Sequence, residues 1–117
     1  MSTDVVALTK DRPDVGAVLE GLGARLQLPM AVSAHGGACR VYDGAGRLVV
    51  HIPEPVLIGV PGEIERLLGG GVQAAPPVWW VDIRAAADLA DAARIARACA
   101  EELVARHGGA VWTGAGR

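Results

Sequence analysis

Few side chains of this 117-residue chain could do acid–base chemistry, and one combination lies on regular structure. His51 and Asp82 each fall in a segment with strand-like patterning, and a strand could hold an imidazole and a carboxylate rigidly enough for proton transfer. The sequence does not say whether their two strands are neighbours. Arg84 shares a strand face with Asp82, so an ion pair between these two residues is the simpler alternative. We therefore predict no catalytic residue, and a small enzyme using His51 and Asp82 is kept as an alternative function.

The glycine-rich stretches do not form a phosphate-binding motif. The Gly-Leu-Gly of residues 21–23 falls inside a predicted helix, and the Gly-Ala-Gly of residues 44–46 falls in a predicted hairpin. A dinucleotide fingerprint must instead follow a strand and open a helix. Residues 60–63 (VPGE) do open a helix, but they lack the lysine and the hydroxyl of a P-loop. No cofactor is predicted.

The candidate nucleophiles and metal ligands are equally sparse. Ser2 and Ser33 are the only serines, and neither has the context of a nucleophile elbow. Cys39 and Cys99 lie far apart, without the spacing of metal ligands, and we expect two buried free thiols. No metal site is predicted.

A second group of side chains has the composition of a protein interface. Strand alternation places them together on one outward sheet face. Exposed aromatic residues beside arginines are typical of interface hot spots. The alternative for Trp80, the tryptophan of this face, is that a loop, or the segment of residues 53–68, covers it. With Trp80 as the anchor, the predicted partner-binding residues are Arg40, Tyr42, Arg47, His51, Trp80, Asp82 and Arg84.

Charge and hydropathy narrow the class of partner. The net charge is −2 and lysine occurs once, which argues against a nucleic-acid or membrane-surface binder driven by charge. Trp80 and Tyr42 could stack on single-stranded RNA, but the same charge balance makes RNA a weak rival. The N-terminal residues lack a secretory signal, and no apolar run approaches the ~20 residues of a membrane span. We expect a cytoplasmic location and a protein partner or self-association, with no nucleic acid and no membrane insertion.

Residues 77–109 contain the strand and the helix around which the fold is predicted to form. Residues 77–84 are rich in β-branched and aromatic side chains, and alternation points Trp79, Val81 and Ile83 into the core. A long helix is expected to follow, with Asp88 as its N-cap and the glycines at residues 108–109 as its end. Its predicted apolar stripe is dominated by alanine, so its axis can lie close to the sheet.

The remaining segments predict a sheet with helices on one side. Strands are expected at residues 4–9, 30–34, 39–43, 47–52, 56–60 and 110–113, a long helix from Pro13 to Pro29, and a short helix at 61–68. Within 47–52, alternation predicts Leu48 inward and Val49 outward. Segregated strands and helices predict an α+β, two-layer sandwich whose mainly antiparallel or mixed sheet carries two long helices on one face. Length predicts a single domain over residues 1–117, with residues 114–117 as a frayed tail or the start of a linker.

Six short stretches spread over nearly the whole chain carry a resemblance. They are DVVALT (4–9), PD (13–14), PVL (55–57), VPGE (60–63), PVWW (77–80) and GGAVW (108–112). Together they resemble an uncharacterised actinobacterial family associated with gene neighbourhoods of type VII (ESX-like) secretion systems. The resemblance implies a cytoplasmic accessory or adaptor role, and it implies that residues 1–117 are the N-terminal domain of a longer protein. It assigns no functional residue.

The functional prediction combines the outward face with this resemblance. We expect a cytoplasmic protein-interaction or accessory module, a type VII secretion-associated adaptor, that docks through an open sheet face. The small enzyme described above is one alternative. The other is a structural homodimer whose open sheet faces bury each other.

Overall fold

The computed structural model describes residues 2–68 and 75–113, which form one antiparallel sheet with helices against it. The predicted glycine end of the short helix and the predicted tail at residues 114–117 lie outside the described residues. In chain order the elements are β1 (Ser2–Thr9), α1 (Val15–Leu26), β2 (Met30–His35), β3 (Ala38–Asp43), β4 (Leu48–Ile52), β5 (Val56–Ile58), α2 (Glu63–Leu68), β6 (Val78–Ala86), α3 (Ala92–His107) and β7 (Gly109–Thr113).

Strand β6 lies at the centre of the seven-stranded sheet. Six strands follow the order β2-β3-β4-β6-β1-β7, and the seventh, β5, pairs with β6 outside that order. On one side β1 pairs with β6 along its whole length, from Ser2↔Ala86 to Thr9↔Trp79. On the other side β4 and β5 share its edge, with His51 opposite Arg84 and Val56 opposite Trp80. The strand therefore connects the β2–β4 meander to the terminal strands.

The main core lies between one face of the sheet and the two long helices. Val81 and Ile83 of β6 are fully buried there, as predicted, together with Leu19 of α1 and Leu103 of α3. Burial of such side chains stabilises by roughly 1.5–3 kcal/mol each. Trp79 points to the same side but is only half-buried, because it lies at the end of the strand. The predicted α+β two-layer class, with both long helices on one face, is confirmed.

The start of α3 differs from the prediction. The helix begins at Ala92 with Asp91 in the N-cap position, rather than at Asp88, and the Asp91 side chain makes no capping hydrogen bond. The alanines that were predicted to lead into the helix instead continue β6, since Ala85 pairs with Val50 and Ala86 with Ser2. Strand pairing on both sides thus outweighs the helix propensity of alanine. The buried stripe of α3 includes Ile95 and Leu103 as well as its alanines.

The predicted orientation of two β4 side chains is wrong. Leu48 is 44% exposed, whereas Val49 and Val50 are only 2% and 1% exposed. The register between β3 and β4 shifts at Val41/Tyr42, so the strand contains a bulge. A bulge adds one residue to a strand and so reverses the faces of the residues on one side of it. His51 keeps its predicted outward position because it lies beyond the bulge.

The second face of the sheet is covered at one end only. Ile64 of α2 is fully buried against Val6, Leu8 and Val78. Trp80 packs against this cluster and is half-buried, so the segment that follows β4 covers it in part. The same sheet face over β2, β3 and β4 keeps most of its side chains exposed. None of the helices within the described ranges is long and apolar enough to cross a membrane.

Candidate functional site

The uncovered part of the second sheet face, which we call the open face, brings together side chains from four strands. Antiparallel register puts Ser33 opposite Arg40, Arg40 opposite His51, and His51 opposite Arg84. Side chains directly opposite each other have Cβ atoms about 4.5–5.5 Å apart. The open face is formed by Ala31, Ser33, His35, Arg40, Tyr42, His51, Asp82 and Arg84.

Arg40 is the distinctive charge of the open face. Arg84 donates from Nε to Asp82 Oδ2 at 3.0 Å, so its charge is balanced within the face. Seven other arginines form ion pairs or ring contacts: Arg12, Arg25, Arg47, Arg66, Arg94, Arg97 and Arg106. Arg40 is exposed, and in the part of the chain that the structure describes it alone among the arginines has neither kind of contact. Within the row of Arg40, His51 and Arg84, Arg40 is therefore the arginine whose charge no described ion pair balances.

Two of the predicted partner-binding residues lie outside the open face. Trp80 shares the sheet side, but it contacts the covered cluster around Ile64. Arg47 lies in the β3–β4 hairpin and pairs with Asp43, whose Oδ2 accepts from Arg47 Nε at 2.9 Å. The structure therefore brings together Arg40, Tyr42, His51, Asp82 and Arg84.

Asp43 fixes the hairpin that positions the open-face strands. Its Oδ1 accepts from the backbone N–H groups of Arg47 and Ala45, each at 2.9 Å. The bond from the Arg47 backbone, followed by the Ala45 bond and the Arg47 side chain, lowers the pKa of the Asp43 carboxyl below its ordinary value. Gly46 has φ +80°, a left-handed conformation that glycine adopts readily. This turn sets the register in which β4 carries His51 between its neighbours.

The structure shows that the strands of His51 and Asp82 are neighbours, which the sequence could not establish. The residue directly opposite His51 is Arg84, not Asp82. The Asp82 carboxylate accepts from Arg84, as the simpler alternative expected. Over the described ranges, no hydrogen bond joins His51 to Asp82. The geometry thus provides a charged row rather than an acid–base pair.

A cleft of about 420 Å³ on the helix side was not predicted from the sequence. Its lining includes Arg12, Asp14, Glu54 and Trp79, and the Arg12 guanidinium carbon lies 5.7 Å from the centre of a Trp79 ring. The Asp14 carboxylate accepts from the Ala17 backbone at 3.1 Å and so caps α1. These residues come from two connections and from strand β6, so no single stretch of sequence marks the cleft. The Asp14 carboxylate places a negative charge at the N-terminus of α1, which disfavours an anion there.

Both cysteines are buried in the main core, as predicted. Burial raises the pKa of the Cys99 thiol to about 12, and burial followed by the Asp14 charge raises the pKa of Cys39. Because the thiolate is the reactive form, we expect neither thiol to react rapidly with a disulfide reagent in native buffer at pH 8. Both should react at once in denaturant. Rapid labelling of Cys99 in the folded protein, measured by mass spectrometry, would contradict this arrangement.

Comparison with known proteins adds no relative. A scan of protein-family models, a search of curated proteins and a search of solved structures each found no match. Within residues 2–68 and 75–113, no group of three or more His, Cys, Asp or Glu residues could hold a metal ion. The side chains of the open face remain the candidate functional residues.

Proposed function

We propose that this chain is a protein-interaction module whose open face binds an acidic segment of a partner protein. The observation that carries the proposal is the unpaired charge of Arg40, in a row with His51 and Arg84 on an uncovered sheet face. Arginine is well suited to such a site because its planar guanidinium binds a carboxylate through two parallel hydrogen bonds. The partner would supply the carboxylate that Arg40 lacks within this chain.

The other open-face residues support the same mode of binding. Tyr42 lies on the same strand face as Arg40 and offers an aromatic ring with a polar hydroxyl, as interface residues commonly do. The ion pair with Asp82 constrains the side chain of Arg84, the residue directly opposite His51. A surface with balanced charges at one end and an unbalanced arginine at the other would orient an acidic segment along the row.

The proposal also includes a cellular role and a location for this interaction. The resemblance described above implies an accessory or adaptor role in type VII secretion and a cytoplasmic location, and both rest on six short stretches of sequence. The docking proposal does not depend on them, because it starts from the open face itself.

The test is charge reversal at Arg40. We expect Arg40→Glu to reduce recovery of the partner from native lysate about tenfold or more, equivalent to about 1.4 kcal/mol. Recovery by the wild-type chain should also fall as salt is raised, since exposed charges are screened. The matched control is Arg97→Glu, which makes the same exchange at an exposed position on α3, away from the open face. Equal recovery by both variants would refute docking through Arg40.

A photo-crosslinking residue at Tyr42 provides a second test that does not alter the charge. It should crosslink to the partner segment, whereas the same residue at Ala93, exposed on α3, should not. The sequence of the crosslinked peptide should be rich in Asp and Glu. Trp80→Arg is not suitable for this purpose, because a charge beside Ile64 and Leu8 would disturb packing and would report on stability.

A further inference from the structure

Strand β2 (Met30–His35) forms a free outer edge of the sheet and lacks the usual protection of such edges. It pairs with β3 in an unbroken register from Met30↔Asp43 to His35↔Ala38, and within residues 2–68 and 75–113 it has no strand on its other side. Natural edge strands are commonly blocked by charged side chains, prolines or bulges. The sequence MAVSAH contains no lysine, arginine, aspartate, glutamate or proline. Its outer backbone N–H and C=O groups are therefore available to another strand.

A groove runs beside this edge on the helix side. It has a volume of about 480 Å³ and lies between α1 and β2, lined by Gly23, Leu28, Met30 and Val32 and, on the α1 side, by the exposed Glu20. Leu28, Met30 and Val32 pack partly against the main core, so their remaining surface faces the groove. A strand added to β2 would direct alternate side chains into this groove. The edge and the groove thus form one surface suited to an additional strand.

We propose that β2 pairs antiparallel with β2 of a second copy of this chain, so that one continuous sheet runs through the dimer. Contact across a two-fold axis places a surface against itself, so a charged edge would repel its own copy, whereas this neutral edge does not. Both sets of helices stay on one side of the joined sheet if Val32 lies opposite Val32 of the partner subunit. The same holds if Ser33 lies opposite Ser33 of the partner subunit. Either register brings only neutral side chains together on β2.

A second copy suits this edge for a further reason. It supplies a strand of the same length, and its own Met30 and Val32 side chains would extend over the groove. The dimer would place two open faces side by side, with the two Arg40 residues separated by the paired β2 strands. The inference is independent of the docking proposal, because it concerns the backbone edge and not the charged row.

The test is the mass of the protein in solution, measured by sedimentation equilibrium over a range of concentrations. We expect the wild type to change reversibly from one chain to twice that mass. Ser33→Lys, an exposed change at the edge, should raise the dimer dissociation constant at least tenfold, because the two lysines would lie directly opposite each other if Ser33 is on the axis and diagonally opposite each other if Val32 is. The matched control Ala93→Lys, exposed on α3, should dimerise as the wild type does. Thermal unfolding should confirm that both variants are folded.

Amide hydrogen exchange separates edge pairing from other dimers. If β2 strands pair, alternate amides of residues 30–35 should become protected as concentration rises, whereas dimers that bury their open faces would leave them unchanged. A wild type that stays monomeric at every concentration would overturn the proposal. A dimer that Ser33→Lys leaves intact, without protection of β2 amides, would overturn it as well. Neither result would bear on the capture of an acidic partner, so the two proposals can fail separately.

Discussion

Replacing Gly109 with alanine should lower the free energy of unfolding by about 2–5 kcal/mol, one of the two largest single-residue effects that we expect. Gly109 has φ +125°, and a Cβ atom there would overlap the carbonyl oxygen of Leu8 and lie 2.8 Å from its carbonyl carbon. A left-handed conformation costs an L-residue about 1–2 kcal/mol. An overlap that forces a backbone shift typically costs a further 1–3 kcal/mol. Because Leu8 belongs to the central pair of strands and is fully buried, a shift of its backbone would lower the free energy of unfolding further.

The local structure explains why Gly109 occupies such a tight position. It is the first residue of β7 and pairs with Thr9, immediately after the end of α3. The backbone of Lys10 donates to the Gly108 carbonyl at 3.1 Å, which holds the helix end against β1. The chain must therefore reverse from helix to strand within two residues, both with positive φ.

Gly108→Ala provides the matched control. Gly108 also has positive φ, at +74°, but an added Cβ would meet only the flexible Lys10 side chain, at 3.3 Å from its Cδ. The ψ of Gly108 is 159°, in a region that is accessible almost only to glycine, so we expect a loss of about 1–3 kcal/mol from the conformation alone, without the further cost of the overlap at Gly109. Urea denaturation monitored by tryptophan fluorescence would measure both variants. Equal losses at the two glycines would mean that β7 does not approach β1 as closely as described.

Sequence patterning was sufficient where burial follows a simple period. Alternation correctly placed Val81 and Ile83 toward the helices and Asp82 and Arg84 on the other face. The burial of Val18 and Leu19 on α1 likewise follows helical spacing. These predictions needed only the local geometry of one element, because each strand or helix has one face in the main core.

The features that the sequence did not predict depend on which strands pair and in what register. Nothing local indicates that His51 lies opposite Arg84, because that contact depends on the order of strands in the sheet. The bulge that exposes Leu48 and buries Val49 arises from the pairing of β3 with β4. The amino-acid pattern of neither strand indicates it. The sequence placed Trp80 on the correct face of the sheet but left open whether residues 53–68 cover it. The structure shows that Ile64, in the helix α2 of that segment, belongs to the cluster against which Trp80 packs, so Trp80 is half-buried.

The position of α2 also explains the extent of the open face. The sheet has two apolar surfaces at the β1–β6 end, one facing the long helices and one formed by Val6, Leu8 and Val78. An apolar surface of that kind would be unstable in water, and α2 covers it. The outward side chains of β2, β3 and β4 are mostly small or polar instead, with Leu48 as the exposed exception, so that part of the sheet has less apolar surface to cover. The outward residues of each strand thus decide which part of the face α2 covers.

Ile64→Ala should consequently lower the free energy of unfolding by about 2–5 kcal/mol, the usual range for truncating a buried isoleucine. Ile64 is 0% exposed and is the buried residue through which α2 contacts Val6, Leu8 and Val78. Leu67→Ala, on the same helix but 46% exposed, should cost less than about 1 kcal/mol and serves as the control. Urea denaturation would give both values, and a change in the fluorescence of folded Ile64→Ala would report on Trp80 beside it. If Ile64→Ala were as stable as Leu67→Ala, α2 would not cover the sheet, and the docking face would extend over Trp80 as the sequence first suggested.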